Sequence, residues 1–360
     1  MWQIKNYDHL EFFVGNAKQA AYYYRLAYGF RLKAYAGLET GVRDRSSYLL
    51  EQGDIRWVLT APLSPDHLAA EHIKKHGDGV RGINLIVDNV EEAYRDTTAR
   101  GAKSIQSPTV LEDKNGSVKS ASIATYGDTI HTFIERGNYK GVFLPGFEAV
   151  EKDLLCRPSA LKFMDHVVGN VEWHSMNKWV DYYEKVFGFH KFWSVDDKVL
   201  HTDYSALNST VVASRDEKIK MPINEPAKGK RKSQIEEYCD YYRSAGVQHI
   251  AMHSDDIIES VAKLRENGVE FLKIPQNYYD TLIERVGKID EDIKTLSKLG
   301  ILVDRDEHGY LLQLFTKPVE DRPTLFLEVI QRKGGRSFGI GNFKALFEAI
   351  ERDQAARGNL

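Results

Sequence analysis

Cysteine is nearly absent: Cys156 and Cys239 are the only two in 360 residues. Two thiols cannot build a disulfide framework, and such sparse use fits a reducing compartment, so a cytoplasmic protein is expected. No apolar run approaches the roughly 20 residues of a helical membrane span. The opening residues, MWQIKNYDHLEFF, lack the charged-then-apolar order of a secretory leader. A surplus of one charge is also missing: 49 Lys and Arg stand against 52 Asp and Glu, a net charge of −3. That balance gives no pull toward nucleic acid or an anionic membrane. The one basic cluster, Lys228, Lys230, Arg231 and Lys232, reads as a solvated loop.

What the sequence does have is repetition. GVRGINLIVDNVEEAYRDTTARG (79–101) and GVQHIAMHSDDIIESVAKLRENG (246–268) align without a gap. Tyr7 to Phe30 and Met164 to Phe189 also match: each carries an Asp-His pair on an apolar stretch, then an amphipathic run ending at Gly-Phe. The pairs Gly29-Phe30 and Gly188-Phe189 place a helix terminator at each end. Val80–Val87 and Val247–Ser254 have strand character, and Val90–Arg100 and Ile257–Asn267 have helical spacing. VDRDEHGYLLQLF carries a hairpin turn. The unit is a strand, a helix and three strands, used about four times in two homologous halves. The joint lies near Gly137 to Ala160, which has Gly, Pro and mixed charge but no long periodicity. A chain of this length accommodates about two domains.

Three positions recur across the halves. The first half reads His9, Gly82 and Glu135, and the second reads His166, His249 and Glu328. Two imidazoles and a carboxylate that leave coordination positions open are the protein ligands typical of non-haem Fe(II) oxygenases. Gly82 offers no donor, so the first half is expected to hold no metal. A lone histidine on an apolar strand is more often a satisfied core residue than a ligand, and His9 is read that way. His253 follows His249 by four residues. On a strand that spacing separates the side chains by about 13 Å, so His253 is set aside. His174, His190, His201 and His308 lie in polar or turn-like contexts and are expected at the surface.

The strings MPINEP (221–226), KSQ (232–234), GVQHIA (246–251), GYLLQLFTKPVEDRPTLFLEVIQR (309–332) and FGIGNFKALFEAIE (338–351) closely resemble the 4-hydroxyphenylpyruvate dioxygenase family, and the likeness covers nearly the whole chain. The resemblance implies an α+β vicinal-oxygen-chelate fold: two homologous halves, each of two βαβββ modules forming an open barrel, with a C-terminal lid helix. It implies a non-catalytic domain over 1–150 and a catalytic iron-binding domain over 151–360. His166, His249 and Glu328 match the family's iron ligands, with one Fe(II) per subunit. Gln248, Gln313, Asn224, Ser209 and Gln234 match polar positions that orient the substrate. Pro222, Phe315, Phe326, Phe338 and Phe343 match the pocket wall, and Asn342 and Leu346 belong to the lid. Ser337 replaces a usual glycine and Ile340 falls at a variable position, so either could alter lid motion.

The implied reaction converts 4-hydroxyphenylpyruvate and O2 to homogentisate and CO2, with ring hydroxylation and side-chain migration. A homodimer or homotetramer is implied, with no nucleic-acid or membrane partner. Taken alone, each phenylalanine would be plain core, and IGNFKALFEAIERDQ would be a packed terminal helix. The polar companions make a ligand pocket of them. Three other readings compete: a 4-hydroxymandelate synthase with the same substrate, a zinc lyase or isomerase of glyoxalase type, and a sequestration module without catalysis. Product analysis, metal analysis and oxygen uptake discriminate among them.

Overall fold

The computed structural model describes residues 2–195, 201–202 and 204–360. Four βαβββ modules follow one another. The first comprises β1 (Ile4–Phe13), α1 (Ala17–Ala27), β2 (Arg31–Ala36), β3 (Arg45–Gln52) and β4 (Ile55–Pro62). After α2 (Leu68–His76) come β5 (Gly79–Val87), α3 (Val90–Ala99), β6 (Ser104–Asp113), β7 (Gly116–Ala124) and β8 (Ile130–Glu135). The two-residue strand β9 (Glu148–Ala149) lies in the joint. The third module is β10 (Leu161–Asn170), α4 (Met176–Tyr182), β11 (His190–Val195), β12 (Ala206–Ala213) and β13 (Lys220–Ala227). Helix α5 (Gln234–Tyr242) leads to β14 (Gly246–Ser254) and α6 (Ile257–Glu266). The fourth module then inserts α7 (Asn277–Asp280), α8 (Leu282–Val286) and α9 (Ile293–Leu299) before β15 (Leu302–Arg305), β16 (Tyr310–Phe315) and β17 (Phe326–Lys333). Helix α10 (Ile340–Ala356) ends the chain's regular structure.

Local chemistry sets these boundaries. Asn89 and Asp256, at matching repeat positions, cap α3 and α6 by accepting from the backbone N–H of Glu92 and Glu259 at 2.8 and 3.0 Å. Gly29 and Gly188 end the first helical run of each half with φ of +74° and +69°. At Gly29 a Cβ would also meet the Arg157 carbonyl at 2.2 Å, so the absent side chain lets the joint pack against α1. The joint is stitched to the first half through the Arg25–Asp153 ion pair, and Ser159 Oγ donates to the Tyr28 carbonyl at 2.7 Å. The exposed segment 228–232 is a loop between β13 and α5.

The strand order is β6-β7-β8-β5-β1-β4-β3-β2-β9 in the first sheet and β11-β12-β13-β10-β14-β17-β16-β15 in the second. In each sheet two modules meet through an antiparallel pair of first strands, β1 with β5 and β10 with β14. Each first strand also runs parallel to the last strand of its own module. The first strands are therefore central, which is why β5 and β14 are buried at all but one position. One apolar core, with Trp57, Phe133, Tyr183 and Leu312 among its members, runs through both halves. No helix among the described residues is long and apolar enough to cross a membrane.

Candidate metal centre

Register brings the donors together. Ala251 on β14 pairs with His166 on β10 at one side and with Glu328 on β17 at the other. His249 precedes Ala251 by two residues and so shares its face of the sheet. The donor atoms of His166, His249 and Glu328 all lie within 4.8 Å of one another, and no other group of three His, Cys, Asp or Glu does so among the described residues. Glu328 Oε2 is 3.3 Å from His166 Nε2 and 3.4 Å from His249 Nε2. The three residues are exposed by only 3, 9 and 2% respectively.

Both imidazoles are oriented from behind. His166 Nδ1 donates to Asp165 Oδ1 at 2.7 Å, and His249 Nδ1 donates to Gln248 Oε1 at 2.9 Å. Those acceptors carry no proton, so Nε2 is in each ring the nitrogen left facing the site. Asp165 is gripped in turn by Arg332, Nε to Oδ2 and Nη2 to Oδ1, both at 2.8 Å. Burial alone would raise the Asp165 carboxyl, but Arg332 overrides it and holds the carboxyl well below the usual range. Burial opposes a charged His166, yet the Glu328 and Asp165 carboxylates together outweigh it and the imidazole is raised. For His249 burial dominates and the imidazole is lowered. Burial would raise Glu328, but His166 and His249 together outweigh it and the carboxyl is lowered. A buried carboxylate between two Nε2 atoms is a donor set suited to one divalent cation.

The first half corrects one sequence-based equivalence. Glu135 does not correspond to Glu328. Asn84, the counterpart of Ala251, pairs with His9 on one side and Thr132 on the other, so Thr132 holds the Glu328 position. Glu135 lies three residues later, where its carboxylate accepts from Val90 N at 2.9 Å. Gln331 plays that part in the second half, accepting from Ile257 N at 3.1 Å. The first half therefore reads His9, Gly82 and Thr132, with one donor left. Asn84 fills the space that Ala251 leaves open, donating to the His9 carbonyl at 3.2 Å.

The cluster opens onto a cavity of about 50 Å³ that Ser209, Pro222, Asn224, Phe315, Phe338, Phe343 and Leu346 help to line. Val168, Trp193 and Val211 complete the wall, and sequence reading missed them. Their only signal was apolar alternation, which a plain core strand shares. Phe326 stacks on His249 with centroids 4.8 Å apart, and Phe338 meets His166 edge-on at 5.0 Å. Gln234, Gln248 and Phe326 line a neighbouring cavity of about 30 Å³ instead. Gln313 lines neither cavity; its Nε2 is buried without a partner beside Gly339, where a Cβ would come within 2.4 Å. Asn342 is turned away from the pocket, its Oδ1 accepting from the Tyr278 hydroxyl at 2.6 Å.

The remaining histidines stand apart from the cluster. His253 stacks on Phe163 at 4.4 Å, with Nε2 3.3 Å from Asp255. His174, His190, His201 and His308 are exposed. Ser337 is held through its backbone, accepting from Arg332 Nη1 and donating to Asp306 Oδ2, both at 2.7 Å, and Ile340 is 36% exposed.

Comparison with known proteins agrees with this geometry. The family described as Glyoxalase/Bleomycin resistance protein/Dioxygenase superfamily matches residues 164–314. A 4-hydroxyphenylpyruvate dioxygenase from Aspergillus fumigatus is 52% identical over 379 residues, covering 99% of this chain and 94% of the relative. One from Danio rerio is 52% identical over 365 residues, covering 99% and 92%. A solved triple variant of 4-hydroxymandelate synthase from Streptomyces coelicolor matches with a TM-score of 0.88 at 30% identity, covering 98% of this chain and 99% of that one. With half of its residues shared along almost its whole length, the chain belongs to the 4-hydroxyphenylpyruvate dioxygenase family.

Proposed function

We propose that the protein converts 4-hydroxyphenylpyruvate and O2 to homogentisate and CO2. The observation that carries this reading is the buried His166–His249–Glu328 cluster beneath an aromatic cavity. Those three residues hold one Fe(II) per subunit. Bound there, Fe(II) supplies a Lewis-acidic centre with free positions for a 2-oxo acid and O2, and the electrons that activate O2.

The chain's own part is to bind, orient and keep dry. Asp165 and Gln248 hold the Nδ1 protons and fix both rings. Ser209 and Asn224, on adjacent strands in direct register, offer polar contacts to the substrate's oxygens. Gln234 and Gln313 serve the phenol end through water or small side-chain movements. Phe315, Phe338 and Phe343 hold the ring between flat faces, with Phe326 behind them stacked on His249. Pro222 and Leu346 close the wall. A cavity of about 50 Å³ falls well below the several hundred Å³ of a typical small-molecule site. The structure is thus a closed state, and the segment carrying Phe338 and Phe343 moves to admit substrate, then excludes water.

In this reading residues 1–150 form a non-catalytic half and 151–360 the catalytic one, in a cytoplasmic homodimer or homotetramer. The test is anaerobic addition of 4-hydroxyphenylpyruvate to the Fe(II)-loaded protein. A visible charge-transfer band is expected, followed by homogentisate on admitting air. 4-Hydroxymandelate as the chromatographed product would move the assignment to the synthase, whose solved relative shares this fold. No band and no oxygen uptake would sink the proposal.

A further inference from the structure

We infer that Arg332 is a positioning residue that ties the lid to His166, so that metal binding and lid closure favour each other. The inference rests on the proposed metal role of His166. One guanidinium touches both partners. Its Nε and Nη2 grip Asp165, whose Oδ1 holds the His166 ring. Its Nη1 donates to the carbonyls of Ser337 at 2.7 Å and Gly335 at 3.2 Å, on the segment that leads into α10. Its Cζ lies 5.3 Å from the Phe338 ring centroid, and Phe338 packs on His166 itself. Lifting residues 335–338 breaks the Nη1 bonds and removes Phe338 from the imidazole together. His166 then loses one wall, and the arginine that grips its Asp165 anchor loses its own tether to the lid.

The first half holds the same device without metal or lid. Arg136 grips Asp8 at 2.8 and 2.7 Å, Asp8 holds His9 Nδ1 at 2.6 Å, and Arg136 donates to the Phe143 carbonyl. Phe143 lies 5.0 Å from His9 and 5.0 Å from the guanidinium. In both halves the arginine fastens the segment after the last strand to the first strand. Only in the second does that segment carry a wall of the active-site cavity and only there does the histidine face two further donors. Arg136 is therefore an internal control: its loss removes equivalent contacts but touches no metal.

Coupling of this kind is reciprocal, so bound metal must close the lid by the factor that closure improves metal binding. The test uses the metal-free full chain and Co(II) as probe, reading Co(II) affinity from its visible spectrum and lid closure from hydrogen exchange of residues 335–346. Wild type should bind Co(II) and show slower exchange there when loaded. Arg332→Gln should weaken Co(II) roughly 10- to 100-fold, the usual range for losing an outer-shell partner. At saturating Co(II) it should no longer show slower exchange. Arg136→Gln should lower the melting temperature yet leave both readouts at wild type. Should Arg332→Gln fail to fold, Arg332→Lys takes its place, since one ammonium cannot span Asp165 and Ser337. An Arg332 variant that keeps the Co(II)-dependent slowing of exchange overturns the inference alone. A wild-type protein that binds no Co(II) overturns the metal reading and the inference with it.

Discussion

Thr132 stands in the first sheet where Glu328 stands in the second, each paired with the residue that on its other side faces the first-strand histidine of its half. Two of three donor positions have thus changed in the first half, and Asn84, in place of Ala251, puts an amide against the His9 backbone. His9→Ala should leave the metal count at one per chain by elemental analysis. It should still cost stability, because it strands the buried Asp8 carboxylate that His9 now shares with Arg136. A loss of about 1–3 kcal/mol in denaturant melts is expected.

In the second half the outcome reverses. His166→Ala, His249→Ala or Glu328→Ala removes one of three donors and should abolish stoichiometric iron and turnover. Gln248→Ala removes only the orienting acceptor at His249 Nδ1. Its metal affinity should fall about 10- to 100-fold, with activity partly restored by excess Fe(II). Iron titration followed by oxygen uptake separates the two classes.

Ala251 supplies no donor yet lies between two of them, so its small size is part of the site. Ala251→Asn copies the first half's Asn84 and places an amide in that space. Metal binding should drop at least about tenfold although all three donors remain, and overpacking should cost about 1–3 kcal/mol. Equilibrium titration with Co(II) checks the first expectation and thermal melting the second.

The legible part of this molecule was whatever repeats or alternates locally. The two gap-free segments gave β5, α3, β14 and α6 almost to the residue, and the Gly-Phe pairs gave the ends of the first helical run of each half. The Asp-His pairs and the second-half triad were visible because three donor types recur at strand positions. The Glu135 assignment failed because α7, α8 and α9 lengthen the second half just before its last three strands. Glu135 therefore lies three residues past the true counterpart of Glu328, an offset visible only in the β5–β8 and β14–β17 registers. Arg332 was unreadable as an outer-shell group, since Asp165 is 167 positions away in sequence. Asn342 was legible only as part of the lid helix, because nothing local announces Tyr278 as its partner.

That Tyr278–Asn342 bond pins the first turn of α10. The Tyr278 hydroxyl also accepts from Val303 N at 2.8 Å, so β15 holds the same atom. Tyr278→Phe removes the hydroxyl, leaving Asn342 Oδ1 and Val303 N buried without partners. A cost of about 1–3 kcal/mol should appear as easier lid opening rather than global unfolding. Limited proteolysis should cut near residue 340 several-fold faster, with the metal count unchanged. If cleavage there keeps its wild-type rate, the bond does not restrain the lid.

Glu320 gives the pH prediction. Burial, with the Asp78 and Asp321 carboxylates adding to it, pushes its carboxyl from 4.5 up to about 8. Asp78 is itself raised by burial, with Asp321 adding to it. Between those two values the folded protein keeps a proton on Glu320 that the unfolded chain has released. The folded state therefore binds more protons, and stability falls as pH rises through that window. The fall ends near pH 8, where the folded carboxyl ionises as well. Glu320→Gln fixes the neutral form, so its melting temperature should match wild type near pH 5 and exceed it near pH 8. Melting curves of both proteins at pH 5, 6.5 and 8 provide the check, and parallel curves would show that Glu320 is not held neutral.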